Sequence, residues 1–224
     1  MKSIHLLKRL ERFPLFTEND VSKIINKSQK YVRTLLYRLH KQGLIKRIER
    51  GKYTLHADGL IFASHIIKPS YVSLWTALRY HNLTQQQPTS FFIMCPVKRK
   101  SIKLQNSELI FISTKNMFGY KKERYSDFDI FMAEPEKTII DALLFKIPIE
   151  HIEFALDNGV FDFKKLAEYA KKTRNKSLIK RLGYMLEKKE KIYYGLKALD
   201  NNYIFLNYHW KKKGKKNSKW KLIL

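Results

Sequence analysis

The chain has 224 residues, 44% hydrophobic and 13% aromatic, which supplies apolar surface for a small domain plus a larger one and excludes a chain disordered throughout. Its 45 Lys and Arg against 20 Asp and Glu leave a formal net charge of +25, which points to a polyanionic partner. No run approaches the roughly 18–20 consecutive apolar residues of a bilayer span, and the single cysteine, Cys95, excludes an internal disulfide and a CxxC metal knuckle.

The stretch from Met1 to Arg12 alternates apolar with charged residues where a signal peptide needs an apolar core, so the expected compartment is the cytoplasm, with no membrane partner. The basic excess is uneven. Residues 1–57 carry 14 basic and 4 acidic side chains, residues 58–150 carry 12 and 9, and residues 151–224 carry 19 and 7. A uniformly lysine-rich background would spread the excess, so the two ends are expected to form basic faces around a nearly balanced middle.

From Lys2 to Leu10, Ile4, Leu6, Leu7 and Leu10 suit a short amphipathic helix, ended before Pro14. Thr17 with Asp20 reads as a cap with an acidic first turn, and Val21, Ile24 and Ile25 give a second helix ending near Asn26. Ser28 caps a third, in which Val32, Leu35, Leu36 and Leu39 form one stripe until Gly43 closes it. The period then changes: Leu44 to Glu49 and Lys52 to Leu55 read as a β-hairpin turning at Arg50-Gly51. Three helices followed by such a hairpin predict a winged helix-turn-helix over residues 1–57.

Residues 58–224 predict a larger mixed α+β domain, so the expected fold class is α+β. Tyr71 to His81 reads as a helix capped near Ser73; Ser90 to Met94, Glu108 to Ser113 and Phe128 to Met132 read as strands of one sheet within 58–134. A mainly helical stretch, 135–200, opens with Pro135 at a first helical position and continues through His151 to Leu156, Phe163 to Lys172 and Leu178 to Lys188. Residues 201–224 are expected as a basic hairpin or tail, with Tyr203 to Tyr208 and Trp220 to Leu224 as candidate pairing partners.

On the third helix Gln29, Lys30, Arg33, Thr34, Tyr37 and Lys41 face away from the apolar stripe, next to the capping Ser28. A helix N-terminus fits the major groove; Arg33 can fork onto guanine and Gln29 onto adenine, while Lys30, Thr34 and Tyr37 reach base edges or phosphates. In the hairpin, Lys46, Arg47, Arg50 and Lys52 cluster at a tight turn suited to the phosphate backbone or the minor groove. An ordinary solvated basic face stays open for the helix, and winged helices also serve as protein-contact modules. The run Lys211, Lys212, Lys213, Lys215 and Lys216, near Trp210 and Trp220, reads equally as a secondary nucleic-acid contact or a solvated loop. Lys98, Arg99 and Lys100 read as a surface turn.

Enzyme chemistry finds little footing, and no catalytic residue, metal ligand or cofactor is expected. The seven histidines show no HxH or HxxxH pairing, and the eight glycines form neither GxGxxG nor a Walker loop. Asp127 with Asp129, and Glu134 with Glu136, are paired carboxylates better explained by a strand edge and by the first turn of a helix at Pro135.

Three segments together resemble the AbiEi-type antitoxins, the transcriptional-regulator half of AbiE phage-defence toxin-antitoxin systems. They are Gly43 to Tyr53; Tyr71-Val72-Ser73-Leu74-Trp75-Thr76-Ala77-Leu78 running through Tyr80-His81 to Gln87-Pro88-Thr89; and Glu134-Pro135-Glu136-Lys137-Thr138-Ile139-Ile140-Asp141. Gly214 to Ile223 is similar to that family's C-terminal signature. Asn82 stands where the family usually has glycine, and Asn tolerates the same left-handed helix end. The resemblance implies a repressor of its own operon that binds inverted repeats in double-stranded DNA, as a homodimer or paired copies. It also implies a type IV antitoxin whose functional partner is a nucleotidyltransferase-type toxin. The competing expectations are a stand-alone winged-helix regulator and an RNA-binding protein working through its basic C-terminal part.

Overall fold

The computed structural model describes residues 3–190, 193–209 and 214–224. They form a mixed α+β protein with an N-terminal helix-and-strand region, a central mixed sheet and a helical C-terminal part. Two units divide the chain: Met1–Val72 with Thr89–Lys115 and Lys122–Met132, and Ser73–Pro88 with Asn116–Lys121 and Ala133–Leu224.

The first unit begins with α1 (Ser3–Leu10), β1 (Phe16–Thr17), α2 (Glu18–Ile25), α3 (Gln29–Lys41), β2 (Lys46–Glu49) and β3 (Lys52–Thr54). Thr17 starts α2 through a reciprocal capping box: its hydroxyl accepts from Asp20 N, and the Asp20 carboxylate accepts from Thr17 N at 2.8 Å. Asn26, at φ 51°, ends α2 in the left-handed region. Ser28 caps α3 by accepting from Tyr31 N at 3.4 Å. The hairpin turns at Gly51, whose φ of +77° disfavours any side chain. β1 adds a third strand beside β3, giving the antiparallel order β1-β3-β2. That strand escapes the sequence reading because only Phe16 and Thr17 belong to it.

These elements close on their own apolar cluster: Leu6, Leu10, Phe16, Val21, Val32, Leu36, Leu39, Ile45 and Tyr53 are buried, with Leu7, Ile24, Ile25, Leu35 and Leu55 packed against them. Complete burial of a side chain such as Leu36 contributes about 1.5–3 kcal/mol. The expected stripe on α3 is present, with Leu35 at its half-exposed margin.

After α4 (Gly59–Ala63), the first unit supplies almost all of a six-stranded mixed sheet. Its strands are β4 (Tyr71–Val72), β5 (Ser90–Cys95), β6 (Ile102–Lys103), β7 (Glu108–Ser113), β8 (Tyr120–Tyr125) and β9 (Phe128–Ala133), in the order β6-β7-β5-β4-β9-β8. Tyr71 and Val72 therefore belong to a strand rather than to the expected helix: they pair antiparallel with Met94 and Ile93, and Val72 pairs parallel with Met132. Within this unit the hairpin is tied toward the sheet. Arg99 pairs with Glu49, the Lys52 ammonium donates to Ile66 O, and the His56 ring meets Phe128 edge-on at 4.5 Å.

The second unit holds α5 (Leu74–Tyr80), α6 (Pro135–Leu144), α7 (Ile149–Asn158), α8 (Phe163–Thr173) and α9 (Lys176–Lys188). It also holds the short strands β10 (Ile204–Phe205), β11 (Lys216–Asn217) and β12 (Leu222–Ile223). Helix α6 starts with Pro135 at its first turn and is buried from Glu136 to Leu143, packing against α5, α7, α8 and α9. Asn82, at φ 57°, adopts the expected left-handed conformation just after α5. At the C-terminus Trp220 is buried against Gly183 of α9 and donates its indole N–H to Glu187. The final strands differ from the simplest hairpin: β10 runs parallel to β12, and β11 is β12's antiparallel partner. Among the described residues no helix is long and apolar enough to cross a membrane.

Candidate nucleic-acid interface

Helix α3 buries Val32, Leu36 and Leu39, packs Leu35 at their margin and turns its polar side chains outward. Ser28, Gln29, Lys30, Arg33, Thr34, Tyr37 and Lys41 are all exposed. Tyr37 keeps 61% of its surface, and the Lys41 ammonium lies 5.7 Å from its ring centroid. The capping of α3 by Ser28 leaves Gln29 and Lys30 in the first turn, where unpaired backbone N–H groups favour an anion.

Seven of the predicted residues line two hollows bordered by α3, and Tyr37, Lys41, Lys46 and Lys52 line neither. Gln29 and Arg33 of α3 join Arg47, Arg50, Gly51 and Tyr53 of the hairpin, and Thr17, Glu18 and Asn19 at the start of α2, around an open cleft of about 570 Å³. Three arginines face a single acid there, so the cleft is a basic concavity between a helix and a hairpin. Ser28, Lys30 and Thr34 line a smaller hollow, also bordered by α3, with Tyr31, Leu35 and Arg38. Lys46 is exposed on β2.

Lys52 differs from its neighbours. Its ammonium pairs with Glu49 at 2.9 Å and donates to Ile66 O, so this cation points into the unit and anchors the hairpin. Lys215 and Lys216 are exposed, with the Lys216 ammonium 5.3 Å from the Tyr203 ring centroid. Lys211, Lys212 and Lys213 lie outside the described residues.

Two cleft side chains have partners in the first turn of α2 that the sequence pattern does not single out. Arg33 Nε donates to Glu18 Oε2 at 2.7 Å, and Gln29 Nε2 donates to Asn19 Oδ1 at 2.7 Å. The hydrogen bond to Glu18, reinforced by its charge, holds the Arg33 guanidinium above its ordinary pKa, so it stays cationic at any working pH. The cap places Glu18 and Asn19 immediately after Thr17, but only the packing of α2 against α3 brings them to Arg33 and Gln29, which the local sequence does not signal.

The paired carboxylates are engaged elsewhere. Asp129 accepts from Lys122 at 3.0 Å and from Arg124 at 3.4 Å, and these contacts hold it below the usual carboxylate range. Glu134 accepts from Lys165 at 2.8 Å and from the Tyr169 hydroxyl at 2.6 Å; burial works against its ionisation, and the two hydrogen bonds outweigh it. Glu136 accepts from Asp162 N at 2.9 Å. Burial pushes the Cys95 thiol up, and its sulfur contacts Val97 O at 3.2 Å. Among the described residues no three His, Cys, Asp or Glu side chains gather in a group that holds a metal.

No family model and no curated protein matches the chain.

Proposed function

We propose that residues 1–57 act as a winged helix-turn-helix and that the chain is a transcriptional regulator that binds duplex DNA, not an enzyme. In this reading α2 and α3 are the two helices of the motif, α3 enters the major groove, and β2 and β3 form the wing. The observation that carries the reading is the cleft in which Gln29 and Arg33 of an exposed helix share one concavity with Arg47 and Arg50 of the hairpin. A guanidinium and a carboxamide on a helix's outer face match guanine and adenine edges, whereas arginines at a thin turn match phosphates. The wing also has a firm seat, since Glu49 is held by both Lys52 and Arg99.

The resemblance of residues 43–53, 71–89, 134–141 and 214–223 to AbiEi-type antitoxins extends the proposal. The chain represses its own operon at inverted repeats and antagonises a nucleotidyltransferase-type toxin encoded beside it. On this reading the DNA-binding residues are Ser28, Gln29, Lys30, Arg33, Thr34, Tyr37, Lys41, Lys46, Arg47 and Arg50, and Lys52 acts as the anchor of the wing.

The test is binding of the purified protein to DNA from upstream of its own gene and to a shuffled control, at several salt concentrations. Arg33→Ala is expected to cost about 1–3 kcal/mol on the native site and to erode the preference for it. Arg50→Ala is expected to weaken both DNAs alike and to lower the salt slope by about one. Equal binding of both DNAs by the unsubstituted protein, insensitive to either change, would sink the proposal. Stronger binding to duplex RNA than to DNA of equal length would do the same, because the deep, narrow major groove of RNA does not admit a recognition helix.

A further inference from the structure

We infer that Glu18 and Asn19, in the first turn of α2, are the positioning residues that hold Arg33 and Gln29 in the orientation from which they read base edges. The inference rests on the proposed DNA-binding role and adds a source of specificity to it.

The argument comes from which atoms the two contacts use. Arg33 keeps 66% of its side-chain surface and Glu18 only 23%, so the carboxylate is the fixed partner and the arginine the presented one. Glu18 grips Arg33 through Nε. End-on recognition of guanine uses the other edge of the guanidinium, with two N–H donors directed at O6 and N7. A carboxylate on Nε therefore fixes the plane of the fork without occupying its tips.

The second contact follows the same pattern. Asn19 Oδ1 takes one of the two hydrogens of Gln29 Nε2. The other hydrogen and the carbonyl oxygen of Gln29 remain, and these are the donor and acceptor that adenine N7 and N6 require. Both braces come from adjacent residues of one helix turn, and that turn is fixed by the Thr17–Asp20 capping box. The four side chains line a single cleft.

A brace of this kind has a physical return. Long exposed side chains lose rotamer freedom on binding, and a guanidinium already held in plane loses less of it. The carboxylate also repels phosphate, so Arg33 is discouraged from resting on the backbone of the wrong sequence. Glu18 therefore raises the ratio of native to shuffled binding from both sides, favouring the native site through the held fork and disfavouring shuffled DNA through its charge.

The experiment compares the full chain with Glu18→Ala, Glu18→Gln, Arg33→Ala and the double variant Glu18→Ala with Arg33→Ala, measuring affinity for native and shuffled DNA at one salt concentration. Thermal unfolding of each variant confirms that it is folded. Glu18→Ala is expected to lower the native-to-shuffled ratio by about tenfold, partly by tightening shuffled binding, because one bidentate contact carries discrimination of that order. Glu18→Gln retains an acceptor for Nε and should restore the ratio to within about threefold of the original. The double variant should discriminate no worse than Arg33→Ala alone, since Glu18 acts through Arg33.

An unchanged ratio in Glu18→Ala, with Arg33→Ala still losing discrimination, overturns the brace and leaves the DNA-binding reading standing. Additive losses in the double variant overturn it also, because they assign Glu18 a role independent of Arg33. Equal binding of native and shuffled DNA by the unsubstituted protein overturns both.

Discussion

At the scale of single residues, the most demanding feature is the ion pair inside α6. Lys137 and Asp141 stand four residues apart with no side-chain exposure, and the Asp141 carboxylate also accepts from Ser73 Oγ at 2.8 Å. Burial drags the Lys137 ammonium below its ordinary range, and Asp141 opposes that shift. Such a pair adds little stability overall, but leaving one member uncompensated is costly. Asp141→Ala is therefore expected to destabilise the protein by about 3–5 kcal/mol in urea unfolding. Joint replacement by apolar residues, Lys137→Met with Asp141→Leu, should recover most of that loss. A cost below about 1 kcal/mol for Asp141→Ala would mean that water reaches the ammonium and that the pair is not a buried one.

Among elements, α3 joins the core to the candidate site, and its two faces make different predictions. Leu36 lies in the N-terminal cluster with no exposure, so Leu36→Ala should cost about 2–5 kcal/mol, read as a lowered unfolding midpoint and faster amide exchange in α1, α2 and α3. DNA affinity measured well below that midpoint should change less than threefold, because the outward face is untouched. A large loss of affinity at full folding would mean that the two faces are coupled. The division into faces was legible because Val32, Leu36 and Leu39 repeat at helical spacing around one buried stripe. Other elements were illegible for equally physical reasons. Tyr71 and Val72 are too few to show a period, and their strand character comes from partners far along the chain, Ile93, Met94 and Met132. Strand β8, Tyr120 to Tyr125, carries four consecutive charged residues between its tyrosines, and only its edge position beside β9 makes it a strand. The site divides the same way. Periodicity alone placed Gln29 and Arg33 on the outer face, whereas the Glu18 and Asn19 partners and the inward turn of Lys52 depend on contacts 10 to 15 residues away.

Across the whole molecule, the question is how a formal charge of +25 is used. In the C-terminal stretch several cations are matched inside their own unit: Lys188 with Glu153, Lys189 with Asp157, Lys219 with Glu187, and both Lys176 and Lys180 with Asp200. At the hairpin, by contrast, Arg47 and Arg50 are exposed and face the cleft. If net charge alone drove DNA binding, removing any two exposed cations would have the same effect, since a distant charge contributes only through the screened field of the molecule. If the cleft docks phosphates, only cations that displace condensed counterions count, each changing the slope of log affinity against log salt by about 0.9. Arg47→Gln with Arg50→Gln is therefore expected to lower that slope by about two on native and shuffled DNA alike. Lys103→Gln with Lys115→Gln removes the same charge from exposed positions in the nearly balanced middle of the chain and should change it by less than one. Equal slopes for the two double variants would assign the attraction to total charge and remove the hairpin from the interface.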